Sequence, residues 1–260
     1  MKKIGVVGEG LVGSCFKGKS DYHVVHRDEW DAHIFNWSGI VNCCAIAGAA
    51  RCDAAGFDAV NRANVVLPRE MAYMARNLDI PFITFSTSAV YARPSGNYPV
   101  DESSPLYPHN LYASSKITME AVMPENAFIF RIPIVITGSG APNDFPQKVQ
   151  GWKVVEDVDI SIIFGGTIVD AVSRVMTGGR EDERTGRRED GTNALITNHE
   201  SRITNHIAPG IYNLAAESVH LPTFIKEVYG WEGEVVEAGS LGLSPAIVFD
   251  VSKAAGAGLI

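Results

Sequence analysis

Lys3-Ile4-Gly5-Val6-Val7-Gly8-Glu9-Gly10-Leu11-Val12-Gly13 is a short apolar run that stops in three spaced glycines. A brief Val- and Ile-rich run bounded by glycine reads as a strand buried on both faces. The glycines that follow read as a turn into a helix. At this spacing one glycine makes the tight turn, the next lets backbone approach a pyrophosphate, and the third allows close packing of helix on sheet. Gly8, Gly10 and Gly13, with Leu11 and Val12 between them, are therefore candidate dinucleotide-binding residues.

Similar apolar runs recur at 23–26, 39–44, 81–85 and 127–132, separated by helix-like stretches at 58–77 and 111–123. Alternating strand and helix predicts an α/β protein, a Rossmann-type doubly wound parallel sheet. Residues 1–136 are read as this core. Beyond it the pattern changes to Pro- and Gly-rich loops around shorter elements at 145–149, 153–155, 167–176, 210–214 and 222–229. Residues 137–260 are read as a small substrate lobe interleaved with the core, on the sheet edge where such folds bind ligands. Within the lobe, 178–209 holds a mixed charge run and two copies of Ile-Thr-Asn-His, which reads as a mobile charged insertion.

Composition narrows the partners. The 260 residues are 46% hydrophobic and carry 22 Lys+Arg against 30 Asp+Glu, a formal net charge of −8. That balance argues against broad contact with nucleic acid or an anionic membrane, so an anionic ligand must meet a local positive site. No apolar run approaches the ~20 residues that span a bilayer, and a cytoplasmic location is expected. Cys15, Cys43, Cys44 and Cys52 lack CxxC spacing and read as reduced thiols, with no metal site expected.

The chemistry is concentrated further along. Tyr112-Ala113-Ser114-Ser115-Lys116 puts a phenol and an ammonium four residues apart, on one helix face. A nearby cation favours the phenolate and brings an otherwise weak acid towards working range. Upstream, Ser86-Thr87-Ser88 ends a strand with three hydroxyls. At the end of the second strand, Arg27 and Asp28 stand where such folds choose between cofactors. A carboxylate there accepts bonds from the ribose, whereas a guanidinium pairs with a 2′-phosphate, so NADP or NAD remains open.

Order and spacing together resemble the extended short-chain dehydrogenase/reductase family. Thr87 lies 25 residues before Tyr112, and Pro108 to Lys116 followed by Glu120 is similar to the family's PxxxYxxSKxxxE signature. The resemblance implies Thr87, Tyr112 and Lys116 as catalytic. It also implies Cys43, Cys44 and Ala45 as a loop over the cofactor, Asn61 as that loop's support, and Ile132 and Pro133 in the nicotinamide pocket. Arg131 to Ile134, then Asn143-Asp144-Phe145 with Lys148 beyond, is similar to the dTDP- or UDP-4-dehydrorhamnose reductase branch. On that branch Ser88, Tyr91, His109, Asn143 and Lys148 become candidate substrate contacts, and a nucleotide sugar the expected substrate. A homodimer through helices 61–77 and 111–123 is a further implication.

Three features depart from the pattern. The turn is GxGxxG where the family has GxxGxxG, Thr87-Ser88-Ala89-Val90-Tyr91 is closer to epimerases, and the charged insertion replaces a short connection. The leading expectation is NAD(P)H-dependent reduction of a 4-keto-6-deoxy nucleotide sugar. A nucleotide-sugar epimerase holding NAD is the alternative, and a non-catalytic dinucleotide-binding regulatory subunit the second.

Overall fold

A computed structural model describes residues 2–92, 99–139, 144–145, 154–155, 159–178, 207–229, 235–236 and 248–260. In chain order its strands are β1 Lys3–Val7, β2 Tyr22–Val25, β3 Trp37–Asn42, β4 Phe82–Thr87, β5 Ala127–Ile132, β6 Ile134–Ile136, β7 Val154–Val155, β8 Asp159–Phe164, β9 Gly210–Asn213, β10 Glu217–His220 and β11 Val235–Val236. The helices are α1 Leu11–Ser14, α2 Trp30–His33, α3 Ala49–Ala55, α4 Phe57–Asn61, α5 Leu67–Asn77, α6 Leu111–Val122, α7 Gly165–Met176, α8 Leu221–Tyr229 and α9 Ser252–Gly256. A π-helical stretch, Arg62–Val66, joins α4 to α5.

The predicted doubly wound sheet is present, six strands in the order β2-β1-β3-β4-β5-β9 with every neighbouring pair parallel. Chain order reverses between β1 and β3, which makes the carboxyl ends of those strands the switch point where ligands bind in such sheets. Between β2 and β3 the chain has room only for α2 and a 3-10 turn, Ile34–Asn36. A further parallel strand with its crossover needs roughly a dozen or more residues, so β2 is the edge.

Adjacent residues of each strand bury on opposite faces, as a pleated strand requires. Val6, Val41, Ile83 and Phe85 pack with Ile168, Val172 and Val175 of α7. Val7, Ile40 and Phe82 pack with Leu67, Met71 and Ala75 of α5. With a helix layer on each face, no outward polar alternation remains, and these strands read as nearly continuous apolar runs.

After β5 the chain builds a second, three-stranded sheet in the order β10-β8-β6, antiparallel between β10 and β8 and parallel between β8 and β6. Ile136, Phe145, Ile160, Ile162, Leu221 and Ile225 form its core. The sequence reading anticipated the elements near 167–176, 210–214 and 222–229 but not β6, β8 or β10. Each of these is short and gains its definition from pairing with strands distant in sequence. Most of the expected element at 145–149, and 179–206 of the charged insertion, lie outside the described residues.

A buried polar hub joins α6 to the sheet. Arg131 of β5, 2% exposed, donates from Nε to Glu120 Oε1 at 3.0 Å and from Nη2 to Oε2 at 2.6 Å. Its Nη1 donates to the Tyr91 hydroxyl at 2.9 Å and to the Glu102 carbonyl at 3.2 Å. Tyr91 donates in turn to Asn213 Oδ1 at 2.6 Å, and Asn213 N–H donates to Glu102 Oε1 at 2.7 Å. Tyr91, 0% exposed and stacked edge-on with Phe249, is thus a structural residue and not the substrate contact expected of it. Removing one partner of a buried pair strands the other charge at a cost of about 3–5 kcal/mol. Arg131→Ala is expected to lower stability in urea unfolding by about that amount, and the double change Glu120→Leu with Arg131→Met to recover most of it.

Candidate active site

The carboxyl ends of β1, β3, β4 and β5 border a cavity of about 370 Å³. The glycine turn forms one wall. Gly8 has φ +106°, and a Cβ there would lie 2.9 Å from Cys44 Sγ and 3.0 Å from the Cys43 and Cys44 backbone. A Cβ on Gly13 would lie 1.8 Å from the Gly8 carbonyl oxygen, so the turn closes on itself through that glycine. Gly10 has nothing within 4 Å of its Cβ position, and with Leu11 and Val12 it lines the cavity. Gly8 and Gly13 are thus required by the turn itself and Gly10 leaves its side open, while the helix they lead into, α1, is a single turn.

Cys43, Cys44 and Ala45 line the cavity as expected. Cys43 N–H donates to the Val7 carbonyl at 2.8 Å, and Cys44 N–H to Asn42 Oδ1 at 3.0 Å. Support for the following loop comes from Asn64 and not from Asn61. Asn64 Oδ1 accepts from Ile46 N–H at 2.8 Å, while its Nδ2 donates to the Ile46 carbonyl and to Ser115 Oγ, both at 3.0 Å. Asn61 is half-buried on α4, one turn earlier, and Asn64 falls in the π-helical stretch that follows. The sequence presents two asparagines a turn apart, and only the helix rotation tells which faces the loop.

Asn110 caps α6 by accepting from Ala113 N–H at 2.9 Å. That places Tyr112, Lys116 and Glu120, four residues apart, along one face. The Tyr112 hydroxyl lies near enough to Thr87 for that side chain to favour the phenolate, and Thr87 Oγ1 accepts from Ala89 N–H at 3.2 Å. Lys116 Nζ donates to the Phe85 carbonyl at 2.8 Å. Thr87, Tyr112 and Lys116 all line the cavity, as do Ile132 and Pro133 at the end of β5.

Burial dominates the electrostatics. It pushes the Tyr112 phenol up to about 12, against the opposing effect of Thr87, and it drives the Lys116 ammonium down to about 8, against the nearby Glu120 carboxylate. The phenol is set by desolvation and by Thr87, the expected lowering by Lys116 is not among its causes, and the ammonium is anchored on backbone. At neutral pH the phenol is protonated and the lysine charged. Asp144 shows the opposite balance: burial raises its carboxyl, but bonds from Thr137, Ser139 and the Phe145 N–H hold it below its ordinary value. Those bonds position Phe145 in the cavity wall.

Other candidates fall elsewhere. Arg27 and Asp28 end β2 outside the cavity lining, with Nε 3.7 Å from Oδ1 and a second contact from His26 Nδ1 to Asp28 Oδ2 at 3.2 Å. They still act on the rim. Burial pushes the Cys44 thiol up to about 11, with Arg27 lowering it and Asp28 raising it. Ser88 lies in a 3-10 turn, Ser88–Val90, away from the cavity lining. His109 is exposed, and its Nε2 is bonded to the Tyr91 carbonyl at 2.8 Å, where it pins a loop in place of a substrate. Asn143 and Lys148 lie outside the described residues.

Of two further polar residues in the lining, the sequence reading missed Arg51 and passed over Ser86 in favour of Thr87. Arg51, exposed on α3, lines the cavity and has no hydrogen-bond or ion-pair partner among the described residues. Ser86, 2% exposed, lines it from β4. No carboxylate is among the lining residues described. Among the described residues no group of three or more His, Cys, Asp or Glu is placed to hold a metal, and no helix is long and apolar enough to cross a membrane.

Comparison with known proteins follows the same lines. A search of curated proteins finds no significant match. The structure is similar to a dTDP-4-dehydrorhamnose reductase from Bacillus anthracis solved in complex with NADP, at 15% identity and TM-score 0.71, covering 100% of this chain and 93% of that one. A dTDP-4-dehydrorhamnose reductase from Clostridium acetobutylicum shares 16% identity at TM-score 0.68, with 96% and 91% covered. A UDP-glucuronic acid 4-epimerase from Bacillus cereus, in complex with NAD, shares 15% at TM-score 0.65, with 97% and 91% covered. The model of the NAD dependent epimerase/dehydratase family matches residues 24–139, a segment that begins past the glycine turn and holds Thr87, Tyr112 and Lys116. Residues 24–139 thus match the NAD dependent epimerase/dehydratase family, and the chain shares the fold of these reductases and of the epimerase.

Proposed function

We propose that this protein reduces the keto group of a 4-keto-6-deoxy nucleotide sugar, using NADPH or NADH. The observation that carries the reading is that Thr87, Tyr112 and Lys116 line one cavity with the glycine turn. The open face at Gly10, the left-handed Gly8 and a lining free of carboxylates fit a dinucleotide. Gly10, Leu11, Val12 and the loop at Cys43 to Ala45 would hold it, with its nicotinamide end beside Ile132 and Pro133. Once bound, the cofactor supplies the hydride to the carbonyl carbon.

The chain's own residues do the rest. Tyr112, kept protonated by burial, donates its proton to the carbonyl oxygen. Lys116, still cationic at neutral pH, stabilises the phenolate left behind. Thr87 holds the hydroxyl in line. Arg51 supplies the local cation that an anionic ligand requires in a chain of net charge −8. Residues 137–260 serve as the substrate lobe, in which Asp144 sets Phe145 against the sugar. Likeness to the two reductases supports the substrate class. Four free cysteines suit a reducing, cytoplasmic setting. A homodimer through 61–77 and 111–123 completes the proposal.

An epimerase is favoured by one observation, the family model that spans the catalytic segment. Released nucleotide separates the two readings: a reductase exchanges NADPH freely, whereas an epimerase regenerates NAD and retains it through purification. Tyr112→Phe is expected to cut turnover of a 4-keto nucleotide sugar by about 100- to 10,000-fold at unchanged dinucleotide affinity, followed at 340 nm. Failure of the wild-type protein to oxidise NADPH or NADH across a panel of such sugars removes the reductase.

Arg51→Gln is expected to weaken binding of an anionic ligand about tenfold at low ionic strength, with the gap narrowing as salt is added. Titrations with NADPH and with a nucleotide diphosphate tell which ligand the guanidinium meets. Equal affinity at every salt concentration removes its role.

Lys116 gives a pH signature. Its folded-state value of about 8 lies below the ordinary 10.5, so between these limits the unfolded chain binds more protons. Stability relative to Lys116→Met therefore rises from about pH 8 to 10.5 and is flat outside that window. Urea midpoints of the two proteins, compared at each pH, check the sign.

A further inference from the structure

Buried polar groups in folded proteins are almost always paired, and one left without a partner calls for an explanation. Along the cavity floor most are accounted for. Asn42 donates from Nδ2 to Thr84 Oγ1 at 3.0 Å and accepts from Cys44 N–H. Thr87 is engaged with Ala89 N–H, and Lys116 with the Phe85 carbonyl. The exception is Ser86. Its Oγ is buried and has no hydrogen-bond partner among the described residues. It sits between Phe85, whose carbonyl anchors the ammonium, and Thr87, which lies near the phenol. Across the sheet it pairs in register with Arg131, one residue before Ile132.

We propose that Ser86 is a ligand-binding hydroxyl, hydrogen-bonded in the loaded enzyme to a neutral polar group at the reacting end of the bound pair. This rests on the dinucleotide reading above. Ser86 faces the opposite way from its strand neighbours Phe85 and Thr87, yet it lines the same cavity as Thr87, Tyr112 and Lys116. A neutral side chain at this depth suits a hydroxyl, carbonyl or amide. Phosphate charge belongs at the glycine turn and Arg51. The group contacted is either a ribose hydroxyl or the carboxamide at the nicotinamide end, or an oxygen of the substrate sugar. Leaving Ser86 unpaired in the ligand-free protein makes the site costly until the ligand completes it.

The two states respond to Ser86→Ala with opposite signs. In the ligand-free protein the substitution removes an unpaired buried hydroxyl, and Tm is expected to stay level or rise. In the loaded enzyme it removes a bond, and affinity is expected to fall about tenfold. Ser86→Cys, nearly the same size and a poor hydrogen-bonding group, provides the second variant. The measurements are Tm without ligand, Kd for NADPH and NADH by fluorescence titration, and KM for a 4-keto nucleotide sugar. Weaker dinucleotide binding places the partner on the cofactor. Unchanged dinucleotide affinity with a raised KM places it on the sugar. A lower Tm with unaltered Kd and KM, or no change in any of the three, overturns the proposal. Wild-type protein that binds neither NADPH nor NADH fails the dinucleotide reading itself, and the Ser86 assignment with it.

Discussion

The fork from Arg131 to Glu120 ties α6 to the central sheet. Glu120 follows Lys116 by one helical turn and Tyr112 by two, so clamping its carboxylate sets the rotation of α6 about its own axis. That rotation determines where the phenol and ammonium point. The guanidinium spends its remaining donors on Tyr91 and Glu102, and through Asn213 the same network reaches β9. A single buried cation thus fixes β5, β9, α6 and the chain segment around residue 102 relative to one another. A buried ion pair is an uncertain source of net stability, because desolvation offsets most of its attraction. Its directional bonds instead specify one arrangement among the compact alternatives.

The cavity depends on the same economy of buried charge. In a chain with eight more acidic than basic residues, no carboxylate is among the cavity-lining residues described, and the two cations present differ in kind. Lys116 is enclosed and held by backbone, its charge weakened by burial. Arg51 is exposed and uncommitted. Both line the one cavity, the enclosed cation with Tyr112 and the exposed one on α3.

Several residues show how far local sequence can carry such a reading. The glycine turn was legible because Gly8 and Gly13 answer steric demands of the turn, whereas Gly10 faces open space. Strand ends were legible for the same reason: Val, Ile and Phe runs buried on both faces have few other readings. Tyr91, His109 and Ser88 went the other way. All three are near the catalytic motif in sequence, yet two of them are committed to structural bonds and none lines the cavity. Asn61 and Asn64 illustrate the limit sharply, because one turn of helix separates them and a π-helical stretch decides which is presented.

The amino-acid sequence by itself determined the doubly wound sheet, the glycine turn and the Thr87, Tyr112 and Lys116 constellation. These follow from short-range rules of periodicity, turn sterics and residue spacing. Tertiary structure alone decided that Arg51 and Ser86 belong to the cavity, that Asn64 supports its loop, and that Tyr91 lies in the core. It also decided that desolvation, opposed by Thr87, sets the state of the phenol. Each of these depends on burial and on partners far away in the chain, and neither quantity exists until the sheet has closed.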